Sequence, residues 1–135
     1  MKWMKQAIGL VVVVTATLGP DTSNAKMISL TARSGQPTRI NAYHSWDPDS
    51  CVSQAATMNV TTKPAHGVLT ARIVPHTITT SRFGTVRNCT GRPIKALAIE
   101  YRSTPGFRGT DSFVIDVVFG WQSRRDTDNY TVTVD

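Results

Sequence analysis

The stretch Tyr-Arg-Ser-Thr-Pro-Gly-Phe-Arg-Gly-Thr-Asp-Ser-Phe, which runs from Tyr101 to Phe113, decides the fold of this chain. Pro105-Gly106 predicts a tight turn, because proline presets φ near −65° and the glycine after it can adopt positive φ. Gly109 is a second permissive position, and the Asp111 side chain can accept bonds from nearby backbone N–H groups. The stretch therefore predicts a corner between two strands.

Apolar residues alternate along the chain on both sides of this corner. They are Leu97, Ile99 and Tyr101 before it, and Phe113, Ile115, Val117 and Phe119 after it. A period of two residues predicts half-buried β-strands. Phe107 lies between the two turn glycines, and we expect its ring to point into the core.

Other short alternating runs, separated by turn residues, continue the strand pattern along the chain. The expected strands are 27–32, 38–44, 57–62, 68–74, 76–83, 96–102, 112–119 and 130–134. Pro75 should end its strand or lie at a sheet edge, because proline cannot donate to a ladder. Gly120 to Asp128 reads as an Arg-rich hairpin loop, which makes 112–119 the expected partner of the last strand. The prediction is an all-β sandwich.

The corner also resembles a known group of domains. The pattern Tyr-x-x-x-Pro-Gly-Phe-x-Gly-Thr-Asp-x-Phe, followed by Tyr130-x-Val-x-Val134, resembles bacterial cadherin-like and immunoglobulin-like modules in small secreted proteobacterial proteins. In those modules an upstream Pro-x-x-Gly-x-Val marks a hairpin, and Pro64 to Leu69 is similar to it. The resemblance implies an antiparallel sandwich of about seven strands, whereas such sandwiches serve many unrelated functions.

The first 25 residues have the features of a secretory signal peptide. Lys2 and Lys5 precede an apolar run from Ala7 to Leu18, and Ser23-Asn24-Ala25 offers small residues for cleavage after Ala25. The alternative is a membrane anchor, but the run is shorter than the roughly 20 residues that a span needs. We expect a periplasmic or secreted single domain over residues 26–135.

The chain is basic, with 15 Lys and Arg against 9 Asp and Glu and a formal net charge of +6. An exported basic protein should attract anionic polymers such as acidic polysaccharide, lipopolysaccharide or extracellular DNA. The alternative is that the charge only keeps a small domain soluble.

Cys51 and Cys89 are the two cysteines of the chain. In an exported protein an even count predicts a disulfide, which would close a loop of about 39 residues and contribute about 4 kcal/mol. The alternatives are free thiols or metal ligands, and neither cysteine belongs to a Cys-x-x-Cys unit.

Arginines surround Cys89, flank the corner and fill the last predicted loop. Arginine binds phosphate and carboxylate through two parallel hydrogen bonds, and an exposed tryptophan can stack on sugars or bases. If the loops gather at one end, these side chains form an anion-binding patch; otherwise they are scattered solvated charges. The candidates are Arg82, Arg87, Arg92, Arg102, Arg108, Arg124, Arg125 and Trp121. Trp46 is a further aromatic candidate if it is exposed, and the alternative is that it is half-buried.

Two short stretches carry metal-ligand types: His44-x-x-Asp47-x-Asp49, which suits zinc or manganese, and Asp126-x-Asp128, which suits calcium. For the first, the alternative is a solvated polar loop. For the second, two adjacent arginines would repel a dication. We therefore expect no resident metal and no cofactor.

The sequence contains few candidate catalytic residues or motifs. Glu100 is the one glutamate, so no glutamate pair is available, and no nucleophile motif surrounds the serines. The expectation is a non-catalytic binding module for an anionic envelope component or an envelope protein. The alternatives are a structural domain that pairs through an edge strand and a metal-dependent enzyme.

Overall fold

The computed structural model describes residues 25–79, 88–120 and 124–135. This part of the chain contains no helix, and therefore none that could cross a membrane. Its seven strands are β1 (Ala25–Ala32), β2 (Thr38–Tyr43), β3 (Thr57–Thr62), β4 (Gly67–Thr77), β5 (Pro93–Ser103), β6 (Gly109–Phe119) and β7 (Arg124–Val134).

The strands form a four-stranded sheet in the order β1-β7-β6-β3 and a three-stranded sheet in the order β2-β5-β4. This confirms the all-β prediction of about seven strands. β6 and β7 pair antiparallel from Gly109↔Val134 to Phe119↔Arg124, which confirms the predicted partner of the last strand. β1 departs from the predicted antiparallel arrangement, because it pairs parallel with β7. Alternation identifies a strand but not the direction of its partner.

The core lies between the two sheets. Its largest buried side chains are aromatic and stack in a row, with ring centroids 5.8 Å apart for Tyr101–Phe113 and 4.9 Å apart for Phe113–Tyr130. Aliphatic residues at alternate positions of the same strands complete it: Leu97, Ile99, Ile115, Val117, Val132 and Val134. The period of two therefore placed the core correctly.

The predicted corner carries the chain from β5 in one sheet to β6 in the other. Gly106 has φ +87°, a value that L side chains rarely adopt, so the turn needs glycine there. Phe107 packs against the core as expected, but it is only half-buried. Its ring stacks on His66 at 4.1 Å between centroids, so it lies against the neighbouring turn.

Asp111 connects this corner to the turn between β3 and β4. Its carboxylate is 3% exposed and accepts the backbone N–H groups of Ala65 and His66, each at 3.0 Å. It also accepts the N–H of Ser112 at 2.9 Å and the hydroxyl of Tyr101 at 2.8 Å. Four donors therefore converge on one buried carboxylate.

Gly67 allows the same two turns to meet. A Cβ at this position would lie 2.6 Å from the Tyr101 ring and 2.8 Å from the Arg102 carbonyl oxygen, so any side chain would collide. The Pro64–Leu69 segment is not a hairpin turn, because β3 and β4 belong to different sheets. It is a second corner, packed against the first.

A smaller cluster of buried residues covers part of the outer face of the three-stranded sheet. It contains Trp46, Cys51, Ile78, Cys89 and Ile94. Cys51 and Cys89 are bonded, with Cα atoms 5.5 Å apart, as predicted. Trp46 is buried in this cluster, so its ring is not exposed for stacking on sugars or bases.

Two predicted boundaries were wrong. Arg124 to Asp128 belong to β7 rather than to a loop, because they continue the β6 ladder. His76 and Thr77 extend β4 past Pro75 instead of starting a new strand, and residues 80–83 lie outside the described part. Pro75 is tolerated because β4 is an edge strand, one of the two outcomes expected for it.

We predict that Asp111→Ala lowers the free energy of unfolding by about 3 kcal/mol, because it leaves three backbone N–H groups and the buried Tyr101 hydroxyl without their acceptor. Asp49→Ala is the matched control, since Asp49 is exposed and loses the same charge. Urea unfolding at pH 7 measures both. Equal midpoints for the two variants would show that the carboxylate does not hold the corners together.

Candidate functional site

Three surface features of the described residues are candidates for binding. The first, called here the open side, is a groove of about 310 Å³ where β3 and β4 meet at the side of the sandwich. It is lined by Val60, Lys63, Pro64, Gly67, Val68 and Leu69. Aliphatic side chains dominate this lining, so the groove can bury apolar groups.

The inner face of β4 continues the open side. Leu69, Ala71 and Ile73 pair with core residues of β5, so their side chains point between the sheets. Even so, Ile73 is 50% exposed. β3 has 6 residues and β4 has 11, so β3 is too short to cover the whole inner face of β4.

Two backbone edges border the open side. Among the described residues, β3 pairs with β6 alone and β4 pairs with β5 alone, so each has one edge without a partner strand. On the outer face of β4, Val68 is 63% exposed. An unpaired edge beside apolar side chains is the surface that accepts an added strand.

The second feature, called here the corner cleft, lies next to the turn after β1. It is an open cleft of about 670 Å³ lined by Arg33, Ser34, Gln36, Arg108 and Asp135. Arg102 lies beside it, because its Nε donates to the Gly35 carbonyl oxygen at 2.8 Å. Three arginines and the carboxylate of Asp135 therefore lie around this turn, so positive charge is in excess.

The third feature, called here the polar cleft, is an open cleft of about 210 Å³ at the opposite end of the sandwich. It is lined by Lys26, Asn41, Ala42, Tyr43, His44, Phe119, Arg124, Asp126 and Asp128. Its floor is the buried Asp128, which accepts the hydroxyl of Tyr43, and this hydroxyl lies 2.6 Å from that of Tyr130. Asn41 donates to Tyr130 at 3.0 Å. Burial raises the pKa of both tyrosines, and for Tyr43 the bond to Asp128 adds to the rise.

Asp126 and Asp128 do not present a calcium site in this cleft. Arg124 donates to both oxygens of Asp126, at 2.9 and 2.5 Å, and this bond holds the Asp126 pKa below its usual value. The Arg124 guanidinium also lies 4.9 Å from the Phe119 ring centroid. The two carboxylates thus already have partners within the protein.

The His44, Asp47 and Asp49 motif does not converge on a metal either. His44 stacks on His76 at 4.3 Å and on Trp46 at 5.8 Å between ring centroids. Asp47 accepts the N–H of Asp49 at 2.8 Å, which shapes its own loop. No set of three metal-ligating side chains occurs within residues 25–79, 88–120 and 124–135.

The predicted arginine patch is divided between the two ends of the sandwich. Arg102 and Arg108 adjoin the corner cleft, whereas Arg124 and Arg125 begin β7 at the other end. The 11-residue strand β6 separates these ends by about 34 Å. Arg92 is exposed and precedes β5, and the remaining candidates Arg82, Arg87 and Trp121 lie outside the described residues.

Sequence reasoning missed Arg33 and the open side. Arg33 belongs to the corner cleft because the turn after β1 packs against the corner: the N–H of Gly106 donates to the Ser34 hydroxyl at 3.0 Å. No local sequence pattern indicates a contact between two residues that are 72 positions apart in the chain. The exposure of Ile73 could not be predicted from the sequence either, because alternation marks Ile73 as a core position.

Comparison with known proteins adds little to this geometry. No family model and no curated protein matches the chain. The solved structures that resemble it include the solution structure of amebosin, with a TM-score of 0.45 and 15% identity over 87% of this chain and 100% of that one. A family 123 glycoside hydrolase from Clostridium perfringens has a TM-score of 0.40 and 14% identity over 82% of this chain and 23% of that one.

We predict that the free energy of unfolding falls as the pH decreases from 7.5 to 5. Burial and the neighbouring His76 lower the pKa of His44 below 6.5, so the unfolded chain binds protons more readily in this range. His76→Gln should reduce the fall, because it removes the second imidazole.

His66→Gln is the control for this measurement, because the His66 ring stacks on Phe107 instead. The stabilising contribution of the lowered Asp126 pKa is lost only below about pH 4, outside the chosen range. Urea unfolding at each pH gives the free energies. Identical pH profiles for wild type and His76→Gln would contradict the proposed coupling.

Proposed function

We propose that this protein is an exported, non-catalytic binding module whose open side takes up an extended segment of a partner protein. One observation carries the proposal. Within residues 25–79, 88–120 and 124–135, β3 and β4 each have one edge without a partner strand, and both edges border the same apolar groove. Of the β4 side chains, Val68 is 63% exposed and Ile73 is 50% exposed.

Strand addition suits this surface for a physical reason. A docked segment would form main-chain hydrogen bonds along β4, while its alternate side chains would enter the groove and cover the inner face. Gly67 to Val74 precede Pro75 and provide eight consecutive residues for pairing. Burial of Ile73 and Leu69 by the segment would add hydrophobic stabilisation.

Export is supported by the leader and by the disulfide. Residues 1–25 have the charge and apolar pattern of a signal peptide. The Cys51–Cys89 bond suits an oxidising compartment, because disulfides are rare where thiols are kept reduced. The proposal therefore places the module in the periplasm or outside the cell.

A designed strand tests the docking surface. The probe is the nine-residue peptide Thr-Val-Thr-Val-Thr-Val-Thr-Val-Thr, N-methylated at every second residue so that it pairs through one edge only. We expect it to slow hydrogen exchange of the backbone amides in residues 67–77. Ile73→Lys should weaken binding at least tenfold, because it places a charge on the inner face of β4.

Val52→Lys is the matched control, since Val52 is a 61% exposed apolar residue in the loop after β2. It should leave peptide affinity unchanged. Protection that is absent from residues 67–77, or equal loss of affinity in both variants, would exclude strand docking at β4.

A second candidate function is binding of an anionic polymer, such as acidic polysaccharide or lipopolysaccharide. Arg33 and Arg108 line the corner cleft, and Arg102 lies beside it. Several cations around one turn can neutralise neighbouring phosphate or carboxylate groups and release counterions. Here the arginines on one end of the sandwich, rather than the whole set predicted from the sequence, support the function.

We predict that changing Arg33 and Arg108 together to Ser lowers the salt concentration that elutes the protein from heparin. The control changes Arg92 and Arg125 to Ser, which removes equal charge from two exposed arginines at the other end. Debye screening is strong by 0.15 M salt, so elution is followed from low salt upward. Equal shifts in both double variants would show that net charge alone, rather than the corner cleft, causes retention.

A further inference from the structure

We propose that the β4 edge selects a partner segment whose outward-facing row carries carboxylates, one of them opposite Arg72. The inference rests on the proposed strand docking at β4 and names the chemistry of the partner. Three features support it: the charges of the two edge strands, the exposure of the Arg72 guanidinium and the register of β4.

The two strands that border the open side are free of acidic residues. β3 and β4 contain no Asp or Glu, whereas Lys63 lines the groove and Arg72 lies at the centre of β4. A segment that docks on this side therefore meets positive charge at both places. Complementary charges favour an acidic partner and disfavour a basic one.

Arg72 retains capacity for a second carboxylate. Its Nη2 donates to Glu100 at 3.0 Å, and the Arg72 side chain is still 62% exposed. A guanidinium has five N–H donors, so the bond from Nη2 to Glu100 leaves it able to bind a second carboxylate. Glu100 lies on β5, about 9.6 Å from a docked strand, and so does not occupy the place of the incoming carboxylate.

Register determines which partner positions are acidic and which are apolar. Val68, Thr70 and Arg72 form the outer row of β4, while Leu69, Ala71 and Ile73 form its inner row. Residues directly opposite on neighbouring strands have Cβ atoms about 5 Å apart. The partner segment therefore alternates, with carboxylates facing the row of Arg72 and apolar side chains facing the row of Ile73.

The same register disfavours a second copy of this chain as the occupant. Antiparallel pairing of residues 67–77 with their own copy in full overlap would place Arg72 directly opposite Arg72. Like charges at directly opposed positions destabilise a sheet. A different protein with an acidic strand avoids this repulsion.

The experiment compares three N-methylated peptides on the folded protein. One is the neutral Thr-Val peptide, and in the other two every second threonine is replaced by glutamate or by lysine. We expect the glutamate peptide to bind at least tenfold more tightly than the lysine peptide at low salt, with slowed exchange in residues 67–77. Arg72→Glu should reverse this preference.

Arg125→Glu is the charge-matched control, because Arg125 is exposed on β7, which is a central strand. It should leave the preference for glutamate intact, and urea unfolding verifies that both variants are folded. A stable wild-type dimer in light scattering would favour the second copy and overturn the inference.

The possible outcomes distinguish a failure of acidic selection from a failure of strand docking. If all three peptides protect residues 67–77 equally, docking stands and the acidic selection is wrong. If Arg72→Glu and Arg125→Glu change the preference equally, net charge rather than Arg72 causes it, and the inference also fails. If no peptide protects β4, strand docking itself is excluded.

Discussion

The buried carboxylate of Asp111 is the interaction on which the arrangement of the sandwich depends. It accepts two N–H groups from the turn between β3 and β4, and the hydroxyl of Tyr101 from β5. Burial and this bond raise the Tyr101 pKa, so the tyrosine remains a donor. The β3–β4 and β5–β6 corners each carry the chain from one sheet to the other. Because Asp111 of β6 binds both corners, it defines how the two sheets lie over each other.

The opposite end of the core repeats this arrangement. Tyr43 of the three-stranded sheet donates to Asp128 of the four-stranded sheet, as Tyr101 donates to Asp111. Each pair joins the two sheets where the apolar core ends and polar groups begin. Buried polar groups of this kind are costly unless bonded, so each pair favours one relative position of the sheets.

The sides of the sandwich are unequal, and the proposed docking uses the less covered one. The disulfide-linked cluster around Trp46 covers part of the outer face of the three-stranded sheet. The side with β3 and β4 combines a short strand with a long one, which leaves Ile73 half exposed beside two edges that have no partner strand in the described part of the chain. The buried core, the bonded ends and the disulfide therefore stabilise the sandwich, and the open side adds little apolar burial to it.

The sequence by itself determined most of the strands, the corner at Pro105-Gly106 and the disulfide, because these follow from alternation, turn residues and the pairing of two cysteines. It did not reveal the parallel pairing of β1 with β7, the place of Arg33 beside Arg108 or the exposure of Ile73. Only the tertiary structure decided these features. Each depends on which segments that are distant in sequence come into contact. Side-chain periodicity predicts which face of a strand is buried, but it does not predict which strand pairs with it.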